Sequence, residues 1–226
     1  MAKYLIFCIS FFVLSSCGKE QPQLTSNTYD SYFPFSIGSY VDYEVVEVQH
    51  DLNAEITHDT TFYFLRTVIG DTLTDNEGRL ARKFIRKIRQ SANLSWSVSD
   101  VWTALIDENR VEVIEENQRK VWLSLPPLSS TTWDQNAFNS EPSVICNYSA
   151  IHEDFNSDLI GFDSVLTVEQ EDVLNLVSFR RKYEQYANHV GLVNKYYKDL
   201  NILNFDTLNI QSGSELKYKC IGFGTE

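Results

Sequence analysis

The chain has 226 residues, 43% of them hydrophobic and 13% aromatic, which excludes a disordered stalk and leaves enough apolar material for one large β domain or two small ones. Its 31 acidic residues outnumber 19 basic ones, for a formal charge of −12. Such a surface repels polyanions, so nucleic acid is not an expected partner.

In chain order, the first element is a leader. Lys3 precedes the apolar run from Tyr4 to Leu14, and the run ends in Leu14-Ser15-Ser16-Cys17. An apolar stretch of about eleven residues suits a secretory signal and is too short to cross a bilayer as a helix. Here the small residues stop at a thiol, the side chain that takes a thioether-linked diacylglycerol. The stretch resembles the lipobox of bacterial lipoproteins; an ordinary signal peptide, or an apolar strand opening a cytosolic domain, is the alternative. The resemblance implies removal of residues 1–16, lipid on the Cys17 sulfur and an acyl group on its new amino group. Several acyl chains together hold a protein on a membrane far more firmly than one. Gly18 follows the cysteine where aspartate would retain the protein at the inner membrane, so the resemblance implies the outer membrane of a Gram-negative bacterium. Lys19-Glu20 looks like part of an acidic export tag, but Gln21 replaces the second acid and leaves the membrane face open.

Residues 17–31 form the lipidated cysteine and a polar tether containing Pro22, and residues 32–226 a single β-rich domain that begins at Tyr32-Phe33-Pro34-Phe35. Val41, Tyr43 and Val45 alternate with Asp42 and Glu44, which predicts a first strand from Tyr40 to Val48. Thr60 to Ile69 is apolar on both faces and predicts a central strand. Turn signals at Asp75-Asn76-Glu77-Gly78, Asp107-Glu108-Asn109 and Glu115-Glu116-Asn117 then recur at hairpin spacing. Gly78 to Gln90 carries apolar residues at helical spacing, yet a hairpin turn before it and a strand after it favour a strand. Trp96, Val98, Trp102, Ala104 and Ile106 share one parity and predict a strand with one dry face. Val111–Ile114 and Val121–Leu125 follow, the latter stopped by Pro126-Pro127. Residues 126–142 are irregular. Val144 to Ile151 predicts a strand with Cys146 and Tyr148 on one face, and Phe162, Leu166 and Val168 mark another. Leu174–Tyr186 and Val190–Tyr197 predict a hairpin around Asn188-His189 with Gly191 permitting a bulge; a helix over Glu171–Tyr186 is the alternative. Leu216, Tyr218 and Cys220 share one face of the closing strand. The expected fold is mostly β, an antiparallel meander of about ten strands forming a β-sandwich or a partly open β-barrel, with at most one short helix.

Few constellations carry chemistry. His50, His58, His152 and His189 form no ligand motif, so no metal is expected. Asp154 to Asp158 opens like a calcium loop, but Leu159 and Val165 occupy the positions that need glycine and a carboxylate. No nucleophile elbow, phosphate loop or dinucleotide fingerprint is present, which points away from an enzyme and from a bound cofactor. Once Cys8 leaves and Cys17 is lipidated, Cys146 and Cys220 remain, either as a disulfide or as two buried unpaired thiols. Arg82, Arg86 and Arg89 belong to a basic stretch that either holds an anionic envelope ligand or pairs with acids on adjacent strands. Trp133, outside a clear strand, is the best candidate for an exposed contact with a ligand. The expected function is a membrane-anchored cell-envelope lipoprotein with a non-enzymatic binding or structural role toward an envelope protein or glycan. The alternatives are a carrier of a lipid or other apolar ligand, which requires an apolar cavity of several hundred Å³, and an envelope polysaccharide hydrolase.

Overall fold

The computed structural model describes residues 30–226 apart from residue 108. The leader, the lipobox with Cys17 and nearly all of the tether lie outside the described residues. A single 3-10 turn, Asp30–Tyr32, precedes twelve strands. These are β1 (Ser39–Asp51), β2 (His58–Thr74), β3 (Leu80–Arg89), β4 (Ser97–Asp107), β5 (Arg110–Glu115) and β6 (Gln118–Ser124), then β7 (Thr132–Asp134), β8 (Ile145–Asn156), β9 (Gly161–Leu174), β10 (Ser178–Ala187), β11 (Gly191–Leu203) and β12 (Asp206–Thr225). Every strand pairs antiparallel with its neighbour in sequence except β6 with β7, and β1 pairs with β12. The result is an up-and-down meander curled into a nearly closed barrel, with twelve strands where the spacing of turn signals predicts about ten.

The seam between β6 and β7 is fastened differently from the rest. One backbone bond crosses it, Val121 N–H to the Gln135 carbonyl at 2.9 Å. Side chains satisfy other backbone carbonyls of β6: Trp133 Nε1 donates to Val121 O at 3.1 Å, Asn139 Nδ2 to Arg119 O at 2.8 Å, and the Tyr148 hydroxyl to Ser124 O at 2.6 Å. Unpaired backbone groups in a half-buried edge are costly, and these donors remove that cost.

Strand alternation sets the interior. Val41, Tyr43 and Val45 of β1 face inward, opposite Cys220 and Tyr218 of β12 and Leu65 and Tyr63 of β2. The basic segment after Gly78 is a strand, as its flanks predict, because its apolar Phe84 is buried against Phe33 and Trp122 only in an extended conformation that shares register with β2 and β4. The hairpin β10–β11 turns at Asn188-His189, and Gly191, at φ +96°, takes the left-handed conformation beside a register shift at Gln185/Tyr186.

One end of the barrel is stoppered by the chain's own entry. Tyr32 and Phe33 are buried, and Phe33 sits 6.0 Å, ring to ring, from both Phe84 and Trp122. The Tyr32 hydroxyl reaches His152 Nδ1 at 2.5 Å and Ser164 Oγ at 2.7 Å, while His189 N–H donates to the Ser31 carbonyl. The turns β2–β3, β4–β5, β8–β9 and β10–β11 lie at this plugged end. The opposite end carries the turns β1–β2, β5–β6, β9–β10 and β11–β12 and the β7–β8 connection.

Candidate functional site

At the end opposite the plug the barrel opens into a cavity of about 540 Å³, whose walls come from the β5–β6 turn, the β7–β8 connection, β9, β10 and β11. Its floor is a cross-strand pair. Glu184 and Lys195 stand directly opposite in the β10–β11 ladder and both point inward. The Glu184 side chain is 4% exposed and that of Lys195 19%. The carboxylate accepts from Lys195 Nζ at 3.0 Å, from the Tyr186 hydroxyl at 2.6 Å and from the Tyr197 hydroxyl at 2.8 Å. Lys195 Nζ also lies 4.4 Å from the Tyr197 ring centre and 5.7 Å from that of Tyr218, so aromatic faces replace the water it has lost.

The electrostatics follow from that packing. Burial by itself pushes the Glu184 carboxyl up, but Lys195 and the two tyrosine hydroxyls overcome it and hold the group below its usual range. Burial pushes the Lys195 ammonium down, and the facing Tyr197 and Glu184 oxygens more than restore it, leaving it well above its usual value. Both members are therefore ionised at neutral pH, and burial drives the Tyr186 and Tyr197 hydroxyls up, so they remain protonated donors.

Above the floor each lysine is paired with acids. Lys120 meets Glu115 at 3.0 Å, and Lys182 meets Glu171 at 3.2 Å and Asp199 at 2.8 Å. Counting the lining residues, Glu115, Glu141, Glu171 and Glu184 face Lys120, Lys182 and Lys195, so the cavity carries one net negative charge. Gln118, Gln135, Asn136 and Gln170 supply neutral donors and acceptors among them. A charge-matched, amide-rich cavity has little field with which to select a strong ion, and many hydrogen-bonding groups with which to hold a neutral polar molecule. An apolar pocket between the plug residue Phe33 and the wall residues Val41, Ile69, Phe84 and Leu192 has a volume of only about 30 Å³. That is roughly the volume of one water molecule.

The residues singled out from the sequence do not assemble here. Trp133 is half-buried, packs on Tyr148 with ring centres 5.0 Å apart and seals the seam, so it is not an exposed contact. Arg82 stacks over Phe35, close to the plug. Arg86 points into the barrel, donating to Asp100 at 3.0 Å and to the Tyr218 hydroxyl at 3.1 Å with Trp102 against it. Arg89 lies on the outer face between Trp96 and Phe64. The three arginines therefore form no common ligand contact; alternation and a bulge send them to different places. The Cys146–Cys220 disulfide is not formed, and both thiols are free. Cys146 lies on β8 and Cys220 on β12, with β9, β10 and β11 between them, and at about 4.8 Å per strand they stand far beyond the roughly 7 Å that a bridge can span. Among the described residues no cluster of histidine, cysteine or carboxylate side chains is arranged to hold a metal ion.

The floor pair was legible in one respect only. Glu184 with Tyr186, and Lys195 with Tyr197, repeat a charged-then-aromatic pair on one parity, a pattern that suits the polar lumen of a barrel better than a solvated sheet face. No family model, no curated protein and no solved structure matches the chain.

Proposed function

We propose that this protein is a lipid-anchored binding module of the cell envelope, which takes a neutral polar ligand, a glycan segment, into the open end of its barrel. The observation that carries the reading is the charge-matched cavity of about 540 Å³ at the end opposite the plug. The described chain begins at the plug, on the far side of the barrel from that cavity. With lipid on Cys17, the anchor joins the domain at the plugged end, the end opposite the cavity. Amide side chains and matched ion pairs suit the hydroxyl groups of a sugar, which need both donors and acceptors and carry no charge. Carriage of a lipid has less support, because the apolar pocket beside the plug holds only about 30 Å³ and the larger cavity is lined by charged and amide side chains.

The test is titration of the full chain, purified in detergent, with neutral envelope oligosaccharides. Gln118→Ala combined with Gln135→Ala truncates two wall donors and is expected to weaken binding about tenfold; equal affinity in that variant overturns the site. For the anchor, Cys17→Ala is expected to leave the protein released from membranes or held as the precursor, and unchanged membrane partitioning contradicts the lipidation.

A further inference from the structure

Around the open end, three hairpin tips are laced together. Ile202 N–H donates to Val177 O at 3.0 Å and Phe205 N–H to Leu176 O at 3.4 Å, joining the β9–β10 and β11–β12 tips. Leu52 N–H donates to Gln211 O at 3.1 Å, joining the β1–β2 tip to β12. These tips hold a concentration of exposed large apolar side chains, among them Leu174, Leu176, Val177, Phe205 at 58% exposure and Leu208 at 89%. Exposed apolar residues scattered singly are ordinary, whereas a cluster on adjoining tips marks an interaction surface.

The backbone holds these side chains out. Thr207 to Asn209 lie at a register shift between Ile202↔Ile210 and Leu203↔Asp206, and the Leu208 N–H donates to Asp206 Oδ1 at 2.9 Å, so Leu208 stands on a bulge at the tip.

Charge narrows the occupant. Asp51, Glu55, Asp59 and Asp206 fringe the tips, and among the described residues none of them meets a lysine or arginine at ion-pair distance. The nearby bases are already taken: Arg180 by Glu171 and Asp199, Arg181 by Asp172, and Lys182 by Glu171 and Asp199. The tips are thus apolar with an uncompensated acidic rim, which repels an anionic lipid surface and a second copy bearing the same rim.

We propose that the three tips form a docking surface for a partner protein that contributes a segment of apolar residues interspersed with lysine or arginine, seated on Leu176, Val177, Phe205 and Leu208 with its bases toward the acidic rim.

The test uses the full chain in detergent and two synthetic peptides, one alternating leucine with lysine and the other leucine with glutamate. The lysine peptide is expected to bind, the glutamate peptide not, and Phe205→Asp with Leu208→Asp to reduce lysine-peptide affinity at least tenfold while the circular dichroism stays unchanged. The Gln118→Ala/Gln135→Ala variant is expected to bind the peptide normally, which separates this surface from the cavity. Equal binding of both peptides, or an undiminished affinity in the Asp variant, overturns the proposal. So does concentration-dependent dimerisation that the Asp variant abolishes, which assigns the tips to a second copy, or loss of binding to anionic lipid vesicles in that variant, which assigns them to a membrane.

Discussion

Replacing Lys195 by methionine keeps the length of the side chain and removes its charge from the floor of the cavity. Glu184, whose side chain is 4% exposed, then retains only the hydroxyls of Tyr186 and Tyr197. Removing one partner from a buried pair costs about 3–5 kcal/mol. Because the Lys195 side chain keeps 19% exposure and lines the open cavity of about 540 Å³, part of that cost is screened, and a loss of about 2–4 kcal/mol is the expectation. For a chain of this size it lowers the melting temperature by roughly 5–15 °C. The pH dependence gives a sharper check. In the wild type the Glu184 carboxyl titrates below its unfolded value, so its contribution is present above about pH 4.3 and is lost as pH falls through the folded value. In Lys195→Met the unpaired buried carboxyl titrates above its unfolded value, so the penalty is full near pH 7 and fades toward pH 4. Urea denaturation of both proteins at pH 7 and pH 4 measures the two gaps, and Glu184→Gln in the same background is expected to recover part of the loss. A gap under about 1 kcal/mol at pH 7, or an equal gap at both pH values, refutes the reasoning.

Gly213 is the most constrained glycine of the barrel: at φ +129° a Cβ would lie 2.1 Å from the Asp199 carbonyl oxygen. Gly213→Ala is therefore expected to cost at least about 2 kcal/mol, read as a drop in thermal midpoint, and an unchanged midpoint contradicts the close approach of β11 and β12. Burial pushes the Cys146 thiol up to about 12 and the Cys220 thiol up to about 11. Neither is expected to react with an alkylating reagent at pH 8 until denaturant is added, and mass mapping of rapid modification in the native protein would contradict this.

The inward alternation of Val41, Tyr43 and Val45, and the shared face of Leu216, Tyr218 and Cys220, are visible in the sequence because an apolar lumen and a polar outside give the period-two signal directly. The same rule fails on β4. Val98 shares parity with Ala104, yet it is 59% exposed while Ala104 is buried. The register shift opposite Arg86/Lys87 inserts Ser99 as an extra residue, so parity before it does not carry past it. The cavity was hidden for a different reason. A strand with polar side chains in a barrel lumen reads like a strand with a wet face, so Glu184 and Lys195 resemble solvated residues until the curl of the sheet encloses them. Closure itself depends on pairing Ser39 with Thr225, a relation that no local pattern encodes.

That pairing bears on how such a chain is made. Neighbour-to-neighbour hairpins can zip up one after another within β1–β6 and within β7–β12, but the ring is complete only when β12, the last strand, reaches β1, the first. Until then both the outer edge of β1 and the advancing edge of the growing sheet remain bare. A chain stalled or truncated before Asp206 would carry those sticky margins permanently, and capture by chaperones and proteases would be its natural fate.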